Sequence, residues 1–120
     1  MKKNIIIAYK KDGRLNFGSI SFTKDHSEIL KLTPENRDVV MEYKDDTLIL
    51  YPYKEGIVDE KKIKGESLIY LTSYVKINYD KSKNGFKFQF PPEIIRKWNL
   101  EENKCVDLIV EENKIIFKPY

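Results

Sequence analysis

The chain has 120 residues, with 22 Lys+Arg against 19 Asp+Glu, a formal net charge of +3, and 41% hydrophobic against 34% charged residues. That length fits one ordinary domain or two very small ones, and the composition excludes a disordered chain and a helical membrane protein. Cys105 and His26 are each the only one of their kind, which excludes an intrachain disulfide and a Cys/His metal cage and leaves no supported nucleophile–base pair.

No apolar run approaches the ~20 residues of a spanning helix, and the apolar stretch near Met1 is too short for a signal core. The expectation is a cytoplasmic protein that is not an enzyme, with no catalytic residue, no metal and no cofactor. Charge is unevenly divided. Residues 1–60 carry ten Lys/Arg and eleven Asp/Glu, a net −1, whereas residues 61–120 carry twelve and eight, a net +4.

Residues 4–9 are β-branched and apolar, and Lys10-Lys11-Asp12-Gly13-Arg14 reads as a turn into a second strand beginning at Leu15. From Gly18 the alternation runs through Ile20 and Phe22. A polar, cap-rich stretch then starts a short helix at Asp25 or Ser27 that runs through Leu30. Val39, Met41 and Tyr43 face Leu48 and Leu50 across Lys44-Asp45-Asp46-Thr47, a hairpin with Asp in its turn, ended by Pro52.

Residues 54–72 are charged and hold two glycines, as a connector would, although residues 67–74 turn apolar and can add a strand. Beyond them, alternation on either side of Asn84-Gly85 predicts another hairpin. Pro91-Pro92-Glu93 opens a helix whose apolar face is Ile94, Ile95 and Trp98, and Asn99 ends it in a left-handed conformation. Two more alternating runs flank Glu111-Glu112-Asn113-Lys114. Cys105 reads as a small buried residue at a strand start.

The two halves align at a constant offset: Gly18 with Gly85, Val39 with Val106, Lys44-Asp45-Asp46-Thr47 with Glu111-Glu112-Asn113-Lys114, and Pro52 with Pro119. In that alignment Lys24-Asp25-His26 replaces the Pro-Pro-Glu helix start and Lys31 replaces Trp98. The organisation expected is a divergent repeat at 1–53, a connector at 54–72 and a second repeat at 73–120. Because Ile109 and Ile116 make the last hairpin apolar on both faces, it needs cover that one 45-residue unit cannot supply.

The order Gly85, then Phe90-Pro91-Pro92-Glu93-Ile94-Ile95-Arg96-Lys97-Trp98-Asn99-Leu100, then Val106, then a hairpin ending in Phe117-Lys118-Pro119 resembles the AbrB/MazE-like (SpoVT-AbrB) swapped-hairpin DNA-binding family. The resemblance implies a mainly β fold with short helices, a tandem swapped-hairpin β-barrel of two β-hairpin–helix–β-hairpin units, built as a homodimer or an intrachain pseudo-dimer. It also implies a DNA-binding transcriptional regulator contacting double-stranded DNA through basic residues near the glycine turn and the helix start. Here these are Lys81, Lys83, Lys87, Arg96 and Lys97, joined by Lys76 on the same basic segment.

The chain departs from the family where Phe86 follows the glycine and where Ile95 takes the place of the usual helix Arg. Those losses favour phosphate contact by lysine over bidentate base reading. A protein-binding inhibitor or antitoxin module on the same scaffold is the alternative, with Tyr51, Tyr53, Tyr70, Tyr74 and Tyr79 as a candidate partner surface. Phe86, Phe88 and Phe90 are expected on the inner face of a half-buried strand rather than as a base-stacking platform.

Overall fold

The computed structural model describes residues 1–53, 61–62 and 70–120, with 61–62 and 70–73 described as backbone only. The first half contributes β1 (Lys2–Asn4), β2 (Ile6–Tyr9), β3 (Leu15–Ser21), α1 (Lys24–Ile29), β4 (Asp38–Lys44) and β5 (Thr47–Pro52). After β6 (Lys61–Lys62), the second half contributes β7 (Tyr70–Lys76), β8 (Asn78–Asp80), β9 (Gly85–Gln89), α2 (Pro92–Lys97), α3 (Leu100–Asn103), β10 (Cys105–Glu111) and β11 (Lys114–Pro119). Most of the expected connector at 54–72 lies outside the described residues. Its last part is strand, because β7 begins at Tyr70.

The strands form two antiparallel sheets, ordered β1-β10-β11-β5-β4-β7-β6 and β2-β3-β9-β8. Among the described residues both are open, and the expected closed barrel is not formed. The chain passes from the larger sheet to the smaller at two single buried residues, Ile5 and Ile77. Their amides donate to the carbonyls of Lys104 at 2.9 Å and Arg37 at 2.8 Å, which pins each crossing. Each half therefore feeds both sheets, and the core lies between them.

Local chemistry explains the element ends. Asp45 and Asp46 both take positive φ, 52° and 57°, the handedness a two-residue hairpin turn requires. In the β8–β9 turn it is Asn84, at φ 49°, that adopts this conformation, and Gly85 is already strand. Pro91 caps α2 with Pro92 in its first turn, and Asn99 at φ 52° and ψ 46° ends it as expected. The first helix begins one or more residues earlier than expected, because Thr23 and His26 form a reciprocal capping box.

That capping box is pH-sensitive. The Thr23 amide donates to Nδ1 of His26 at 3.2 Å, a bond available only to the neutral imidazole. Burial, and then the nearby charge of Lys3, lower the His26 pKa below its ordinary 6.5, with Asp25 opposing. The unfolded chain thus binds the proton more readily. The cap's contribution is fully present above pH 6.5 and is lost as pH falls below it. Unfolding midpoints measured from about pH 7.5 to about pH 5 should fall more for the native chain than for His26→Gln, whose amide keeps the box without titrating.

The halves pair with each other inside one chain. Strand β5 meets β11 with Leu48↔Phe117, Ile49↔Ile116 and Leu50↔Ile115, a register that maps onto itself at an offset of 67 residues. Strand β3 meets β9 with Ile20↔Phe88 at its centre. There the Phe22 amide donates to the Phe86 carbonyl at 2.9 Å and the Phe90 amide to the Gly18 carbonyl at 2.8 Å. Those two bonds correspond to each other at an offset of 68.

Gly18 therefore occupies the place of Phe86, not Gly85, and Leu30 the place of Trp98, not Lys31. Leu30 and Trp98 are both buried helix C-caps, and each is followed by a residue of positive φ, Lys31 at 56° and Asn99 at 52°. The first half carries one extra residue between Leu32 and Asp38 relative to the stretch from Leu100 to Cys105. That insertion restores the offset of 67 in the later strands.

Between the sheets, Phe88 is stacked on Phe117 at 5.8 Å and on Phe22 at 6.5 Å, with Phe90 edge-on at 5.0 Å. Phe86, Phe88 and Phe90 are all buried, so the inner-face reading holds. On the outer face of the larger sheet, Ile116 is 8% exposed, Ile109 and Ile49 are half-buried, and none of the three belongs to the core cluster.

Candidate nucleic-acid interface

The smaller sheet has an inner face of Gly18, Ile20, Phe22, Phe86 and Phe88 and an outer face set by the alternate positions. Cross-strand rows on the outer face read Ile6↔Ser19↔Gln89 and Ser21↔Lys87↔Asn78. Lys87 thus lies half-buried near the middle of that face, among neutral polar neighbours.

The six basic residues expected to act together occupy four separate places. Lys81 and Lys83 are exposed in the β8–β9 turn, at one end of the smaller sheet. Arg96 and Lys97 are exposed at the end of α2, at the other end of that sheet. Lys76 belongs to the larger sheet, cross-strand from Asp38. Lys87 is the central one. Adjacency in sequence had grouped residues that the length of β9 and the change of sheet at Ile77 separate.

Helix α2 reaches its place because β9 runs antiparallel to β3 and releases the chain opposite Gly18. Ile95 then packs where a side chain at Gly18 would go: an added Cβ would lie 3.0 Å from Ile95 Cδ1 and 2.9 Å from Ile7 Cδ1. Glycine here is a packing requirement. At the opposite end, the chain leaves β3 for α1 through Phe22, whose amide bonds to Phe86 just after the β8–β9 turn, and His26 of α1 is edge-on to Phe22 at 5.9 Å.

The β8–β9 turn carries its own negative charge. Asp80 Oδ1 accepts from the Ser82 amide at 3.0 Å and the Ser82 hydroxyl at 2.7 Å. The hydroxyl bond first, with further help from backbone amides and Lys83, lowers the Asp80 pKa and keeps it ionised. Tyr79 donates to Asn84 Oδ1 at 2.6 Å, which fixes the turn. Lys81 and Lys83 therefore share their tip with a fixed carboxylate.

A second cross-half contact secures α2 to the larger sheet. Tyr43, 1% exposed, donates its hydroxyl to Asp46 Oδ1 at 2.7 Å, and Trp98 Nε1 donates to the same oxygen at 3.3 Å. Burial, and then the Asp46 carboxylate, push the Tyr43 phenol well above its ordinary range, so it remains a donor.

Among the described residues no group of three or more His, Cys, Asp or Glu side chains is placed to hold a metal ion, and no helix is long and apolar enough to cross a membrane. Compared with models of protein families, with curated proteins and with solved structures, the chain matches none.

Proposed function

We propose that the chain is a DNA-binding regulator whose two halves are interlocked, swapped-hairpin units of the AbrB/MazE-like type. What supports the fold part of the reading is the exchange of partners: β3 pairs with β9 and β5 with β11, so each half completes the sheets of the other. The observation that carries the function is that five of the six expected basic residues lie on the smaller sheet or at its two ends: Lys87 on its outer face, Lys81 and Lys83 in the turn at one end, and Arg96 and Lys97 on the helix at the other. Lysine dominates the set, so the contact is mainly with backbone phosphates.

The test is fluorescence anisotropy with a labelled duplex of about 20 base pairs across about 50 to 200 mM salt. Binding should weaken with a log–log slope of about −3 or steeper, since each phosphate contact contributes about −0.9. No binding at the lowest salt, or a slope near zero, would remove the reading.

The outer face of the larger sheet favours a second reading, a protein-binding module. Ile109, Ile116 and Ile49 form one cross-strand row there, outside the core cluster. Retention of one stoichiometric protein after nuclease treatment, lost in Ile49→Lys, would select it over the first.

A further inference from the structure

We propose that the duplex contact is composite, made by the β2–β3 turn of the first half together with α2 of the second. This rests on the nucleic-acid reading above and adds Lys10, Lys11 and Arg14 to it. The strand pairing brings these two elements to the same end of the smaller sheet. Phe90, the last residue before the Pro91 cap, bonds to Gly18 of β3, and Arg14 precedes Gly18 by four residues, just before that strand begins. Ile95 of α2 packs on Gly18 and on Ile7 of β2, the strand that enters the turn.

The turn holds its arginine in a fixed orientation. Its backbone is closed by Lys10 N to Arg14 O at 2.8 Å and Gly13 N to Lys10 O at 2.9 Å, with Gly13 at φ 88°. Asp12 receives the Arg14 amide at 3.0 Å and its Nε at 2.6 Å. One edge of the guanidinium is thus held while its side chain stays 75% exposed. A guanidinium fixed through Nε presents its terminal nitrogens as a fork, the geometry that suits phosphate oxygens. Lys10 and Lys11 are exposed beside it.

Counting turn and helix together, this end has Lys10, Lys11, Arg14, Arg96 and Lys97 against Asp12 and Glu93, a net +3. The pseudo-equivalent end has Lys24, Lys81 and Lys83 against Asp25, Glu28 and Asp80, a net zero. Acidic residues also border α2 from the other elements packed on it: Glu101 and Glu102 of α3, and Asp45 and Asp46 of the β4–β5 turn.

The experiment compares salt slopes for the native chain, K10Q/K11Q/R14Q, R96Q/K97Q and K81Q/K83Q on the same duplex, with circular dichroism confirming each fold. The triple variant should lower the slope by about 2 to 3 and R96Q/K97Q by about 1 to 2, at about 0.9 per lost contact, while K81Q/K83Q changes it less than either. A native slope in K10Q/K11Q/R14Q overturns the composite site while leaving duplex binding intact. A native chain that binds no duplex overturns the functional reading itself, and this inference with it.

Discussion

Phe88→Ala is expected to destabilise the protein by about 3–5 kcal/mol, the range for emptying a buried aromatic site. Phe88 is fully buried at the centre of the β3–β9 pairing, and its ring lies between those of Phe22 and Phe117. Phe88 comes from the smaller sheet, Phe22 directly follows its strand β3, and Phe117 comes from the larger sheet, so the cavity would open between the layers. A domain of this size holds about 5–15 kcal/mol in total, and the loss would take a large share of it. Urea unfolding followed by circular dichroism should show a lower midpoint with an unchanged slope. A cost below about 1 kcal/mol would mean that the three rings do not form the central layer of the core.

Asp46→Ala is expected to cost about 2–4 kcal/mol through two mechanisms that other substitutions separate. Removing the carboxylate takes the charged acceptor from two part-buried bonds, those of the Tyr43 hydroxyl and the Trp98 indole N–H, a loss of about 1–3 kcal/mol. Alanine must also adopt φ 57°, which costs about 1 kcal/mol or more. Asp46→Gly relieves the backbone and keeps only the first loss. Asp46→Asn keeps an acceptor oxygen and tolerates the turn, so it should lose the least. Because Trp98 is the only tryptophan, its emission should shift red in the Ala and Gly variants. Unfolding midpoints that rank Asn below Ala would refute the double-acceptor role.

Period-two alternation and turn chemistry made most of the strands legible. Leu48, Leu50, Ile115 and Phe117 alternate with more exposed residues, and the turns between them demand left-handed residues that Asp45, Asp46 and Asn113 supply. The helix after Pro91 was equally legible, since Pro92 needs no amide partner and Ile94, Ile95 and Trp98 share one face. The repeat was legible only in its later strands. Sequence alignment matched glycine to glycine, whereas the fold matches Leu30 to Trp98 and Lys31 to Asn99. A short polar insertion leaves no periodic signal, and only the hydrogen bonds of Phe22 and Phe90 reveal the one-residue change.

The candidate site was visible as charge and hidden as geometry. From Lys76 to Lys97 the sequence holds six basic residues against two acidic ones, yet the fold sends Lys76 to the other sheet and places Lys81 and Arg96 at opposite ends. The Lys10–Arg14 turn read as an ordinary hairpin tip, because nothing local connects it with a helix some eighty residues later.

Taken alone, the order of residues determined which segments alternate, where the chain turns, how the second helix starts and stops, and where the charge lies, since each follows from neighbours within a few positions. Tertiary structure decided which strands become neighbours, that the two sheets stay open, and which turn meets which helix. Those outcomes follow from burying Ile20, Phe88 and Phe117 in one common layer and from the bends at Ile5 and Ile77. They are long-range packing constraints that no local window of the chain contains.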